Sequence, residues 1–196
     1  SGKTLAYVPV TVEYFDLDDY GLGQYTRADA GEQPTVLHLF IKMLEQEYLN
    51  GGKLTADSDA LTVSGAAGSM FMTKFWGHDQ NLTYYVNHVY PIMSGNTGAT
   101  ADWIILKDGD VVDVAMFDDW SFWSDAYAGF QYFMDGDAPT HSYTATAGEA
   151  KVITCKTAQT NMMSPSGTQY NVCGTQTVYY GKTLFASDAQ SVTTDS

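Results

Sequence analysis

Basic residues are scarce in this chain. Nine Lys and Arg face 23 Asp and Glu, which leaves a net charge of −14 over 196 residues. Phosphate backbones are held by Lys and Arg, so this balance argues against a nucleic-acid partner. It argues equally against docking on an anionic membrane surface. Cysteine is limited to Cys155 and Cys173. With no further thiol to join them they make a poor zinc site. They are a disulfide candidate in an oxidising compartment, or otherwise two free buried thiols. No apolar run approaches the ~20 residues that span a bilayer. Histidine occurs four times, at His38, His78, His88 and His141. None sits in a His-Glu-x-x-His motif, and no Gly-x-Ser-x-Gly is present. Gly21-x-Gly23 lacks the third glycine of a dinucleotide fingerprint. With no motif that positions a nucleophile beside a base, the reading is of a protein that is not an enzyme.

What the chain has is apolar mass. Hydrophobic residues make up 44% and aromatics 14%, enough for a packed core. Composition shifts near Asp135-Gly136-Asp137-Ala138-Pro139, a stretch of turn-forming residues. Residues 1–136 hold 19 of the 23 acidic residues and all four Trp; beyond them Ser and Thr dominate. Two domains are therefore expected, over residues 1–136 and 137–196.

The first part reads as α+β. Val8 to Phe15 alternates and is expected to be a strand. Leu37, Phe40, Ile41, Leu44 and Tyr48 fall on one helical face. Thr35 is placed to N-cap that helix, and Asn50-Gly51-Gly52 to end it. Short β segments follow at Leu61–Val63, Met70–Trp76, Leu82–Asn87 and Val111–Phe117. In the last, Val112, Val114 and Met116 point one way and Asp113 the other. Lys107-Asp108-Gly109-Asp110 is expected to be a tight turn. In the second part, strands are expected over Ala150–Thr157 and Gln176–Tyr180, with Gly181-Lys182 as a turn.

Two segments carry binding chemistry. Asp16, Asp18 and Asp19 share one loop, and carboxylate oxygens at such spacing suit calcium. Arg27 stands where an EF-hand would need its last Glu, so an EF-hand is excluded. The alternative is a solvated acidic loop. The second segment is an aromatic run. Trp120, Phe122, Trp123, Tyr127 and Tyr132 lie close together among Asp118, Asp119 and Asp125. Rings that stack on sugar faces beside carboxylate acceptors make a ligand groove. The alternative is that these rings fill the core.

The ordered set Val10-Thr11-Val12-Glu13, Thr35-Val36-Leu37, Tyr84-Tyr85-Val86-Asn87-His88-Val89-Tyr90-Pro91 and Leu106-Lys107-Asp108-Gly109-Asp110-Val111-Val112 resembles a known domain. It is similar to the β-grasp domain at the C-terminus of transcobalamin and intrinsic factor. Gram-positive surface proteins carry a stand-alone version whose function is unknown. The resemblance covers about residues 7–134. Leu82 replaces the family's Trp, and His88 replaces its hairpin Gly. The helical barrel that binds cobalamin in the vitamin carriers is absent. The resemblance implies a β-grasp-like sheet packed on one helix and an extracellular or cell-surface location.

Residues 137–196 resemble a bacterial immunoglobulin-like sandwich. Ser191-Val192-Thr193-Thr194-Asp195-Ser196 is similar to the turn of surface-protein repeats, after which another strand follows. About 60 residues fall short of the ~100 of a full sandwich, so a longer parent protein or a reduced sandwich is expected. Taken together, the expected function is a non-catalytic surface module that binds a glycan, peptide or protein partner. The alternatives are a corrinoid-type small-molecule site or a structural spacer.

Overall fold

A computed structural model describes residues 7–79, 82–91, 93, 98–116, 132–140, 142 and 144. It further describes, as backbone alone, residues 130–131, 154–160, 169–171, 176–180 and 190–194. The chain is a mixed α+β protein: among the described residues one α-helix is accompanied by several small antiparallel sheets.

The helix α1 spans Val36–Met43 and continues as a π turn over Leu44–Tyr48. The face predicted from spacing is the one that is buried: Leu37, Phe40, Ile41 and Leu44 are all at most 1% exposed. Full burial of such a side chain is worth about 1.5–3 kcal/mol. The π turn is closed by the Leu49 N–H donating to the Leu44 carbonyl at 2.8 Å. Asn50 then takes the left-handed conformation that ends the helix, at φ +52°.

Capping at the other end is reciprocal. The Thr35 backbone N–H donates to His38 Nδ1 at 3.1 Å. An N–H can only donate, so Nδ1 is unprotonated and His38 Nε2 carries the proton. Nε2 donates in turn to the Phe15 carbonyl at 3.1 Å. His38 is thus a buried capping residue, 2% exposed. The first helical N–H groups have no intrahelical acceptor. Here Val36 donates to the Ile104 carbonyl and Leu37 to the Ala101 carbonyl, both at 2.9 Å. The 101–106 segment is pinned across the helix start in this way.

Against the helix lies a three-stranded sheet of β1 (Leu61–Ala66), β2 (Ser69–Phe75) and β3 (His78–Asp79). Leu61, Met70 and Phe75 enter the same core as α1. A second pair, β4 (Leu82–Val86) and β5 (Val112–Met116), runs antiparallel. Leu82, Tyr84, Val86, Val112 and Val114 pack on the first core. Phe40 sits between the sheets, edge-on to Phe75 at 5.2 Å and to Tyr84 at 5.5 Å. The opposite face of β4 presents Tyr85 to a second cluster with Tyr90, Tyr132 and Met134. Lys107–Asp110 forms the predicted turn, the Asp110 N–H donating to the Lys107 carbonyl at 3.1 Å.

Two expectations are corrected. Val8–Phe15 is not a strand. Exposure alternates along it as its pattern requires, with residues 8, 10, 12 and 14 half-buried. Its carbonyls are instead held by side chains of the helical segment: Gln46 Nε2 donates to Pro9 at 3.2 Å, and His38 serves Phe15. Of the residues expected to turn at the chain's end, 191–194 are extended instead and lie in β11 (Gln190–Thr194), paired antiparallel with β10 (Gln176–Tyr180), while Asp195 and Ser196 fall outside the described residues.

The remaining sheet has four strands in the order β7-β6-β8-β9, with β6 at Phe130–Asp135, β7 at Ala138–Thr140, β8 at Thr154–Thr160 and β9 at Gln169–Asn171. Pro139 lies in β7, an edge strand, where its missing N–H breaks no ladder. The Asp135–Ala138 stretch, read from composition as a boundary, is the turn of the β6–β7 hairpin. β6 therefore belongs to a sheet with the strands that follow it. Among the described residues no helix is long and apolar enough to cross a membrane.

Candidate functional site

Three segments far apart in sequence meet at one cleft. The first is the stretch from Tyr25 to Asp29. The second is the Ala67-Gly68 turn between β1 and β2. The third is the Thr100–Trp103 turn that crosses the helix start. Together they line a cavity of about 250 Å3, bounded by Tyr25, Thr26, Arg27, Ala28, Asp29, Ala67, Asp102 and Trp103.

Hydrogen bonds lock these walls. Tyr25 is buried and donates through its hydroxyl to the Gly65 carbonyl at 3.1 Å. Asp102 is 1% exposed. Its carboxylate accepts the Gly68 N–H at 2.7 Å and the Thr100 hydroxyl at 2.6 Å, so both oxygens are engaged. Gly68 takes a left-handed backbone that favours glycine. Its φ is +70°, and an added Cβ would lie 3.2 Å from the Trp103 ring.

Arg27 is held from behind. Its guanidinium carbon lies 4.3 Å from the Trp103 ring centroid, and Nη1 donates to the Trp103 carbonyl. Cation–π contact and hydrogen bond together fix the plane of the group. Its fork is closed by Asp29. Nε donates to Oδ1 at 2.9 Å and Nη2 to Oδ2 at 3.2 Å. The hydrogen bond from Arg27 holds the Asp29 carboxyl below its ordinary range. Asp29 is otherwise open to water, with 64% of its side chain exposed against 20% for Arg27.

Of the residues singled out from sequence, those that are described lie elsewhere. Asp16 uses Oδ1 to accept the Asp18 N–H at 2.9 Å and caps a 3-10 turn over Leu17–Tyr20. Leu17 and Tyr20 point inward, while Asp18 and Asp19 face water. The loop thus has the form of a solvated acidic turn. Among the described residues no group of three or more His, Cys, Asp or Glu converges as metal ligands do. Trp120, Phe122, Trp123 and Tyr127 lie outside the described residues. Tyr132 is 8% exposed and packs in the second cluster, so its ring is core rather than an open sugar platform. Cys155 lies in β8, and Cys173 falls outside the described residues.

A second polar cluster flanks that core. Asn87 and His88 form the tight turn after β4, with φ of +52° and +62°. His88 Nδ1 lies 2.9 Å from Asp113 Oδ2, and the His88 ring stacks on Tyr132. Asn87 accepts the Val111 N–H and donates to Asp110. This arrangement braces the turn.

Sequence reasoning missed Arg27, Asp102 and Trp103 as a set. No local motif joins residues 76 positions apart. The one signal was the rarity of the charge: Arg27 is one of nine basic residues. No family model, curated protein or solved structure matches this chain.

Proposed function

We propose that this chain is a non-catalytic extracellular or cell-surface binding module, which engages its partner in the cleft under Arg27 and Trp103. The carrying observation is the pre-set guanidinium. It is fixed on an indole ring and a backbone carbonyl, at the lip of a cavity whose walls are tied by Asp102 and Tyr25. Side chains locked before binding lose little entropy when a ligand arrives. A β-grasp-like sheet over the helix and an immunoglobulin-like C-terminal part are the architecture this reading assumes.

Size selects among ligands. Sites that enclose a drug-sized molecule run to ~300–1,000 Å3. A cavity of about 250 Å3 suits one side chain or one sugar ring, which favours a peptide, protein or glycan partner over a corrinoid. The net charge of −14 separately disfavours polyanionic partners.

Heteronuclear NMR of the whole chain, titrated with panels of peptides, glycans and corrinoids, tests the reading. Binding should shift the amides of Ala67, Gly68 and Asp102 and the indole of Trp103. Silence across the panels, or shifts confined to other surfaces, would overturn it and leave a structural spacer.

A further inference from the structure

We infer that Arg27 is a carboxylate receptor for the C-terminus of a peptide, and that Asp29 occupies its fork as an exchangeable internal stand-in. The inference rests on the binding-module reading and names the ligand class of the same cleft.

The contacts of Arg27 are asymmetric. Behind the guanidinium are the Trp103 ring and carbonyl, fixed because the 101–106 segment is bonded to the helix start. In front is Asp29, two residues along the same loop and 64% exposed. Exposed ion pairs contribute little net stability, because water competes for both partners. Asp29 can therefore leave the fork for solvent at small cost, while the guanidinium stays in place. A planar fork with parallel N–H groups matches any carboxylate bidentately. An incoming carboxylate replaces both Asp29 hydrogen bonds one for one, so its gain over Asp29 must come from the rest of the ligand.

The cavity supplies that gain. Tyr25, Ala28, Ala67 and the Trp103 ring offer apolar surface beside the fork. The buried carboxylate there, Asp102, already accepts from Gly68 and Thr100. A ligand body rich in hydroxyls would find few acceptors, whereas an apolar side chain buries its surface. A terminal carboxylate attached to an apolar last residue places both features within one residue's reach. An acidic sugar shares the carboxylate but not the apolar body.

Isothermal titration of the whole chain with N-acetyl-leucine, N-acetyl-leucinamide and glucuronate tests this. The acid should bind roughly tenfold or more tightly than the amide, as loss of charge-assisted bonds predicts. Asp29→Asn should tighten acid binding about two- to fivefold by removing the internal competitor. Arg27→Lys, which keeps the charge and loses the fork, should narrow the difference between acid and amide, and Arg27→Met, which loses both, should abolish it. The Asp29→Asn gain cannot come from misfolding, so it guards against a trivial loss in the Arg27 variants. Equal binding of acid and amide, or no gain in Asp29→Asn, would overturn the inference. Preference for glucuronate over N-acetyl-leucine would overturn the peptide assignment. If a ligand from the wider panels shifts the cleft resonances without needing a carboxylate, this inference fails and the binding-module reading stands. If none shifts them, that reading fails first.

Discussion

The imidazole of His88 lies flat on the phenol ring of Tyr132, with centroids 4.1 Å apart and planes 3° apart. The contact joins the turn after β4 to strand β6, some forty residues further on. It is made from a backbone that a side chain rarely adopts, since His88 has φ +62°. Left-handed geometry costs a non-glycine residue about 1–2 kcal/mol. The stack and the 2.9 Å contact with Asp113 offset that cost.

A double-mutant cycle with His88→Ala and Tyr132→Ala should therefore give a coupling energy of about 0.5–1.5 kcal/mol in urea unfolding. His88→Gly should be less damaging than His88→Ala by about 1 kcal/mol, because glycine removes the backbone cost. Zero coupling would mean that the rings merely lie near each other.

Acid should weaken the fold in two steps. Burial pushes the His38 imidazole below its ordinary value, outweighing the hydrogen bond to Phe15, which raises it. The unfolded chain then binds the proton more readily. Stability tied to His38 is full above the unfolded value, about 6.5, and declines as pH falls beneath it. Glu45 acts lower on the scale. Burial pushes its carboxyl up, but hydrogen bonds from Lys42, the Leu54 N–H and Tyr20 outweigh this and hold it below its ordinary value. Its contribution is present above the unfolded value, about 4.3, and is lost as pH falls through the folded one. Urea midpoints measured from pH 8 to pH 3 should show both declines. His38→Gln should remove only the upper one, and a curve unchanged by that substitution would sink the assignment.

Gly68→Ala should cost about 1–2 kcal/mol, because alanine pays for positive φ and its Cβ would crowd the Trp103 ring at 3.2 Å. The same substitution should disturb the cleft, seen as a change in Trp103 fluorescence in the folded state. An unaltered emission spectrum and an unaltered urea midpoint would show that the ring is not seated on Gly68.

Legibility followed the range of the interactions. Leu37, Phe40, Ile41 and Leu44 declared a helix face because their spacing is local and every one of them is buried. The Lys107–Asp110 turn and β10 at Gln176–Tyr180 were readable for the same reason. Val8–Phe15 has the alternation of a strand and keeps it in its exposure. Alternation reports which side chains face inward; it does not report whether a neighbouring strand supplies a ladder. Here Gln46 and His38 serve the carbonyls instead.

By itself the sequence determined an acidic α+β chain with one amphipathic helix, since composition and short-range periodicity are properties of the chain alone. Only the tertiary structure decided where function could reside. Arg27 and Trp103 meet because the first helical N–H groups, which lack acceptors of their own, draw the carbonyls of Ala101 and Ile104 across the helix start. That bond pattern carries Trp103 to Arg27, and nothing in the local sequence around either residue specifies it.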